Sequence, residues 1–277
     1  MNDTYNIHLE KAVNIIQKSN YVIALVGAGL SAESGIPTFR GKGGLWTKKG
    51  EPGPSQYRNF VKDPKSWWIN NLDEQQDPER TNFRNVIDQA KPNQGHLALY
   101  KLEHDGILKH QITQNVDGLH FAAGSKNVTE IHGSRANIRC ISCEFKTPRV
   151  ALESSIAKLS YTEKIKLLPP SCHRCGGVMK PDTVMFGEPI PSSVLEECVV
   201  QTKKSDCILM VGTSATVYPA ASFPQEIKTR GGKIIELNPS STSLSEMSDI
   251  SIPGSTSSII PDLVKKLVPN SIEHYPN

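Results

Sequence analysis

The sequence predicts an α/β fold, a doubly wound parallel sheet, with a separate zinc-binding segment beside it. Three observations lead there. Short apolar runs, "YVIALVG" (21–27), "CILMVGT" (207–213) and "KIIELN" (233–238), end in glycine or polar residues as buried parallel strands do. Stretches with helical spacing alternate with them, the order that builds a parallel sheet. Between residues 138 and 180 the periodicity fades and four cysteines appear in two pairs.

Residues 7–19 place apolar side chains at helical spacing, and 21–27 is the first strand. Residues 42–82 read as irregular and polar, with Pro52, Pro54, Pro64 and Pro78 around the pair Trp67 and Trp68. A helix is predicted over 93–106, a strand ending in polar residues over 107–120, and a short strand with a turn over 127–134. Three further strands are predicted, "TVMFG" (183–187), 207–213 and 233–238, with helical stretches between successive ones. The Ser-rich stretch 240–258 reads as loop and 259–267 as a closing helix. There is no internal repeat.

The 277 residues suffice for one large domain with a small one. With 37% hydrophobic and 21% charged residues the composition is that of an ordinary globular protein, which excludes a disordered chain. A net charge of +3 is too small to argue for nucleic-acid binding. No apolar run reaches the ~18 residues of a membrane span. The polar start "MNDTYNIHLEKAV" lacks a signal-peptide core, so a cytoplasmic location is expected.

Cysteines in such a location read as thiols or metal ligands. Cys140 and Cys143 form one C-x-x-C and Cys172 and Cys175 another, twenty-eight residues apart. Two such pairs supply four thiolates to one tetrahedral Zn²⁺, with no open position, so the zinc is expected to be structural. A redox site would need only one pair. Cys198 and Cys207 lie outside the pattern and read as semi-buried thiols.

Several predicted strands end in small or amide residues: Gly27–Ser31, Gln114–Asp117, Gly212–Ser214 and Asn238. Ligands of doubly wound sheets bind at that edge. "GAGLSA" matches the glycine-rich turn that brings backbone N–H groups to a pyrophosphate, although a plain strand-to-helix turn would give the same string. The acidic ribose ligand usual ~20 residues later is not evident. Glu51 follows no strand, and Asn238 is the better candidate. Gln114, Asn115 and Asp117 could read a carboxamide or ribose, or could simply cap a helix. His132, in "EIHGS", suits a general base, though a lone histidine is more often structural. His96, in the first turn of a predicted helix, reads as structural.

Together these strings resemble the sirtuins, NAD-dependent protein lysine deacylases, in their minimal prokaryotic type. The matching stretches are "GAGLSAESGIPTFRG" (27–41), "PNQGH" (92–96), "TQNVDGLH" (113–120), "EIHGS" (130–134), both C-x-x-C pairs, "VMFGE" (184–188), "VGTSATVYPA" (211–220) and "ELNP" (236–239). The resemblance spans nearly the whole chain. It implies a Rossmann-like NAD-binding domain from 1–41, 91–137 and 181–277. The second domain would be made of a helical module with a flexible loop (42–90) and a zinc module (138–180), with NAD and an acyl-lysine peptide meeting between the two domains.

The resemblance also implies roles. Gly27, Ala28, Gly29, Ser31 and Ala32 would cradle the pyrophosphate, Thr38 and Arg40 would lie at the phosphate and ribose region, and Phe39 would cover the nicotinamide site. Asn115 and Asp117 would hold the carboxamide, Gln114 the nicotinamide ribose, and Gly212, Thr213, Ser214, Asn238 and Thr256 the adenosine half. His132 would be the general base. The substrate would lie as an extended strand between 186–190 and 214–217, touching Val184, Phe186, Gly187, Glu188 and Val217, with Val116 and Phe186 lining the acyl-lysine tunnel. The implied reaction turns acyl-lysine and NAD into lysine, nicotinamide and O-acyl-ADP-ribose. It implies acetylated lysines of proteins as partners, no nucleic acid, no membrane and a monomer.

Desuccinylating relatives carry a Tyr and an Arg that bind the acyl carboxylate, and aligning on "DPKSWW" puts Asn71 and Glu74 there, which favours deacetylation. A mono-ADP-ribosyltransferase, or a non-catalytic NAD or ADP-ribose binder, are the alternatives. The second would need a broken catalytic set, whereas His132, Asn115 and Asp117 are all present.

Overall fold

The computed structural model describes residues 3–41, 44–72 and 78–269. Its main sheet has six parallel strands in the order β3-β2-β1-β7-β8-β9. These are β1 (Val22–Val26), β2 (Leu108–Thr113), β3 (Val128–Glu130), β7 (Cys207–Val211), β8 (Lys233–Asn238) and β9 (Ile250–Pro253). The two central strands, β1 and β7, are buried along their whole length, which is why they read as unbroken apolar runs. The alternation of side chains sorts them between two cores. Val22, Ala24 and Val26 pack with α1 (Asp3–Lys18), α6 (Gln94–His104) and α12 (Thr256–Leu267). Ile23 and Leu25 pack on the opposite face with Cys198 of α10 (Ser192–Lys204) and Phe223 and Ile227 of α11 (Ser222–Thr229). Cys198 and Cys207 are fully buried rather than semi-buried, and burial pushes each thiol up to about 12.

A second layer joins two stretches of chain. A three-stranded antiparallel sheet, β5-β4-β6, is made of β4 (Asn137–Cys140), β5 (Lys146–Pro148) and β6 (Met179–Pro181). Against it pack α3 (Gln56–Lys62) and α4 (Pro64–Leu72) through Phe60 and Trp68, whose indole N–H donates to the Met179 carbonyl at 2.9 Å. The same region holds α2 (Leu45–Lys49) and α5 (Pro78–Gln89), while α7 (Leu119–Ala122), α8 (Arg149–Ile156) and α9 (Tyr161–Lys166) complete the helices used below.

The structure corrects three readings of the sequence. The described residues between 44 and 82 are largely helical, not irregular. Pro64 and Pro78 open helices, at the first position, where the missing N–H is not needed, and Asp63 Oδ1 accepts the Ser66 N–H at 3.0 Å. Residues 183–187 form turns and not a strand, because Gly187 has φ +80° and the backbone of 184 and 186 bonds to His132 and to α3 rather than to a ladder. The stretch 240–258 contains β9, which pairs with β8. Among the described residues no helix is long and apolar enough to cross a membrane.

Candidate active site

The sheet reverses its winding between β1 and β7: β2 and β3 lie on one side of that pair, β8 and β9 on the other. The carboxyl ends of β1 and β7 therefore open a crevice where doubly wound sheets take ligands. The turns after these strands touch through their backbones. Gly27 N donates to the Val211 carbonyl at 2.9 Å, and Gly29 N to the Gly212 carbonyl at 2.8 Å. A Cβ on Gly29 would stand 2.7 Å from Gly212 Cα, and one on Gly212, where φ is +56°, would stand 2.5 Å from Leu30 N. The glycines are thus demanded by the packing of two turns on each other, besides any approach of a ligand. Gly212→Ala is expected to cost about 3 kcal/mol in a denaturant titration. Gly35→Ala is expected to cost about 1–2 kcal/mol, because Gly35 has φ +86° but open space around it. Equal small losses would refute the packing account.

After Ser31 comes one 3₁₀ turn (Ala32–Ser34) in place of a long helix. Its position is fixed from α6 and α12. Asn93 caps α6 by accepting the Gly95 N–H at 2.9 Å, accepts Ser257 Oγ–H of α12 at 2.9 Å, and donates to the Leu30 carbonyl at 2.7 Å and to Ser34 Oγ at 3.0 Å. The N-terminus of α12 therefore lies against the glycine turn, where Thr256 Oγ1 donates to the Gly29 carbonyl at 3.4 Å.

Ser31 joins the polar groups of the crevice. Its hydroxyl donates to Asp117 Oδ2 at 2.7 Å and accepts from Asn115 Nδ2 at 3.1 Å, with His96 Nε2 at 3.5 Å. Asn115 Nδ2 also donates to the Gly27 carbonyl at 3.1 Å, and Gln114 Nε2 to Thr213 Oγ1 at 2.8 Å. Asp117 Oδ1 accepts the Leu119 N–H at 3.0 Å, so Asp117 caps α7 and faces Ser31 at once. Burial raises the Asp117 carboxyl, opposed by those two hydrogen bonds. His96 and His120 meet with ring centroids 5.3 Å apart, and burial pushes them down to about 3 and about 4.

His132 follows β3, and its Nδ1 lies 3.1 Å from the Gln114 carbonyl. A carbonyl only accepts, so Nδ1 carries the proton and Nε2 keeps the lone pair. Burial lowers the His132 pKa, with the Gln114 bond opposing. The imidazole is neutral and basic at Nε2 near pH 7. The next residue, Gly133, has φ +73° and room for no side chain against the Asp182 carbonyl.

Phe39 stacks on Trp46 at 4.6 Å and meets Phe83 at 6.1 Å between centroids, and Trp46 meets Phe186 at 5.3 Å. Arg40 lies over the Trp46 ring at 4.6 Å and pairs with Glu51. Thr38 Oγ1 donates to the Arg40 carbonyl at 3.1 Å. Ser214 Oγ lies 3.0 Å from Thr216 Oγ1, and Asn238 Nδ2 donates to the Ser240 carbonyl at 2.6 Å. Val184 N donates to the His132 carbonyl at 2.8 Å, and the Val184 carbonyl has no hydrogen-bond partner among the described residues. Phe186 is held at both backbone groups, N–H to Gln56 Oε1 and carbonyl from Tyr57 N, each at 3.0 Å. Val116 is half-buried with its carbonyl accepting from Arg135 N at 3.1 Å, and the Val217 carbonyl accepts from Ala221 N at 2.9 Å. Asn71 accepts from Arg84 Nη2 at 2.9 Å, and Glu74 lies outside the described residues.

One hydrogen-bonded chain thus gathers Ser31, Asn115, Asp117 and His96, while Gln114 brings Thr213 and His132 together beside it. Sequence reasoning missed Trp46 and Phe83 as neighbours of Phe39, and weighed Glu51 only as a ribose ligand and not as the partner of Arg40. The only signal was the density of aromatics after Arg40.

The two turns, the amide and carboxylate beside them and the α12 N-terminus fit a dinucleotide with its negative pyrophosphate. The four cysteines fit zinc. Sγ separations are 3.5 Å (Cys140–Cys175), 3.7 Å (Cys143–Cys172) and 3.4 Å (Cys143–Cys175), and all four lie within 4.8 Å of one another. A tetrahedron of Zn–S bonds of about 2.3 Å asks for about 3.8 Å between sulfurs.

A model of the Sir2 family matches residues 27–219. The chain is 39% identical over 259 residues to an NAD-dependent protein deacylase of Thermococcus kodakarensis, covering 94% of this chain and 95% of that one. Among solved structures it is similar to a Sir2 homologue bound to NAD, at TM-score 0.72 and 39% identity, covering 93% of each chain. It is also similar to a Sir2 protein with deacetylated p53 peptide and 3′-O-acetyl ADP-ribose, at TM-score 0.74 and 28% identity, covering 93% of this chain and 98% of that one.

Proposed function

The chain belongs to the Sir2 family and is an NAD-dependent protein lysine deacylase, and from that premise we propose how its residues divide the work and which acyl group it prefers. The observation that carries the reading is His132: its tautomer is fixed by Gln114, the residue before Asn115 in the polar chain of Ser31, Asn115 and Asp117, and its Nε2 has no hydrogen-bond partner among the described residues. When bound, NAD supplies an electrophilic ribose carbon and nicotinamide as leaving group. Asn115 and Asp117 hold the carboxamide, and the raised pKa of Asp117 agrees with its being enclosed. The glycine turn and the α12 N-terminus hold the pyrophosphate; Thr213, Ser214 and Asn238 hold the adenosine half. Phe39, stacked on Trp46, keeps water from the reacting centre. His132 Nε2 takes a proton from a ribose hydroxyl.

The acyl-lysine peptide lies along 184–188 and 214–217. The Val184 carbonyl, without a partner among the described residues, accepts the N–H of the substrate lysine. Acetyl groups are preferred, since Asn71 is a neutral amide and the guanidinium beside it, Arg84, is committed to the Asn71 side chain and carbonyl at 2.9 and 3.3 Å. The enzyme acts as a monomer on proteins of the cytoplasm, where four free thiols remain available to zinc.

Peptides bearing acetyl-, succinyl- and myristoyl-lysine, incubated with NAD and followed by mass spectrometry, test this. Acetyl removal with one nicotinamide and one O-acetyl-ADP-ribose per lysine is expected. Faster succinyl removal would overturn the preference, and ADP-ribose on protein without peptide would favour transferase activity.

A further inference from the structure

A cluster of buried charges sits behind the substrate loop, outside the site described above. Arg139 on β4 and Lys180 on β6 are register partners on the small sheet, one residue from Cys140 and Met179. Arg139 is 4% exposed, Lys180 0% and Asp182 1%. Arg139 Nε donates to Asp182 Oδ1 at 3.0 Å and Nη2 to Glu188 Oε1 at 2.5 Å. Lys180 Nζ donates to Glu188 Oε2 at 3.0 Å, and to the Pro181 and Thr183 carbonyls at 2.7 and 2.9 Å. Lys146 Nζ reaches Asp182 Oδ2 at 2.9 Å, and the Met185 N–H donates to Glu188 Oε2 at 2.8 Å.

Buried ion pairs are a poor source of stability, because desolvation costs several kcal/mol per ion and an apolar replacement of similar volume is often neutral or better. What this cluster does supply is position. Lys180 and Glu188 tether the backbone of Thr183 and Met185, the two neighbours of Val184, whose carbonyl keeps no hydrogen-bond partner among the described residues. Both Glu188 oxygens are consumed inside, so its carboxylate is an anchor and does not read the peptide. Burial lowers the Lys180 ammonium, with the Glu188 carboxylate opposing.

We propose that Arg139 and Lys180 are positioning residues for the acyl-lysine peptide, holding the 182–188 loop from within through Asp182 and Glu188. The zinc module thereby presents the substrate-binding edge. This rests on the reading that 184–188 receives the substrate strand.

Lys180→Met and Arg139→Lys test it in the zinc-loaded full chain. The second keeps charge and stem but cannot bridge two carboxylates as a guanidinium fork does. Affinity for a fluorescein-labelled acetyl-lysine peptide and KM for that peptide are expected to weaken about tenfold or more. KM for NAD should stay within about twofold, with zinc content unchanged. A folded, zinc-loaded variant with wild-type peptide KM would overturn the proposal. So would parallel rises in both KM values, which signal general loosening. A peptide N-methylated at the acetyl-lysine amide separates the two readings. If wild-type enzyme binds it normally, the loop assignment itself fails. If wild-type binding drops but both variants bind unmodified peptide normally, only the positioning role fails.

Discussion

His132→Ala is expected to lower deacylation of an acetyl-lysine peptide by about 10²–10⁴-fold, the usual contribution of a general base, while nicotinamide exchange in the presence of that peptide stays measurable. The asymmetry follows from where the histidine acts. In the proposed division of work, Asn115, Asp117 and the glycine turns, joined through Ser31 and Gly27, hold the nicotinamide end without it. The imidazole, its Nδ1 committed to Gln114, then serves only the proton transfer. Its pKa is lowered by burial, so the neutral base persists as pH falls, and the acid limb of kcat/KM for this group lies below 6.5. Near wild-type deacylation by the alanine variant would remove His132 from the role. An acid limb above 6.5 would contradict its burial.

Stripping the metal is expected to have the other large effect. Cys140 closes β4, Cys172 is buried, and both belong to the cluster that joins the small sheet to Phe60 and Trp68. Thiolate–zinc bonds in comparable small modules supply about 10–16 kcal/mol of apparent folding energy, so losing the metal loosens that cluster at its cysteine end. One zinc per chain is expected by elemental analysis. Cys172→Ala should lose both the metal and the protease resistance of residues 137–181. The peptide KM should suffer before the NAD site does, because the substrate loop leaves directly from β6. Native protein without metal, or a Cys172→Ala variant as protease-resistant as wild type, would contradict this account.

Local chemistry was readable in the sequence; long-range partnership was not. The central strands β1 and β7 announced themselves because parallel strands buried on both faces read as continuous apolar runs, and the zinc set because C-x-x-C spacing is itself the geometry. Pro64 and Pro78 misled because a proline that breaks a helix inside starts one at its first position. The run 183–187 has a strand's composition, yet its backbone partners, His132 and α3, come from 51 residues or more away in sequence. Of the site, the glycines, Asn115, Asp117 and His132 stand in short motifs. The Trp46 stack on Phe39, the Arg40–Glu51 pair and the charges around Asp182 exist only once the layers meet.

The buried pair His96 and His120 sets a limit of a different kind. Both stay neutral in the folded protein far below 6.5, to about 3 and about 4, whereas in the unfolded chain both take up protons as pH drops through 6.5. Above 6.5 the difference contributes nothing. Below it each residue removes about 1.4 kcal/mol of stability per pH unit until its folded pKa is reached. By pH 4.5 the two together cost about 5 kcal/mol, on the scale of a whole domain's stability. Over the same range Glu130, whose carboxyl burial raises to about 7, takes up its proton in the folded protein first and offsets part of that cost, so the net loss of stability in acid is smaller than the two histidines alone would give. The lower edge of its working range is therefore a balance among buried groups, His96 beside Ser31 in the crevice included, and not a property of the catalytic base alone.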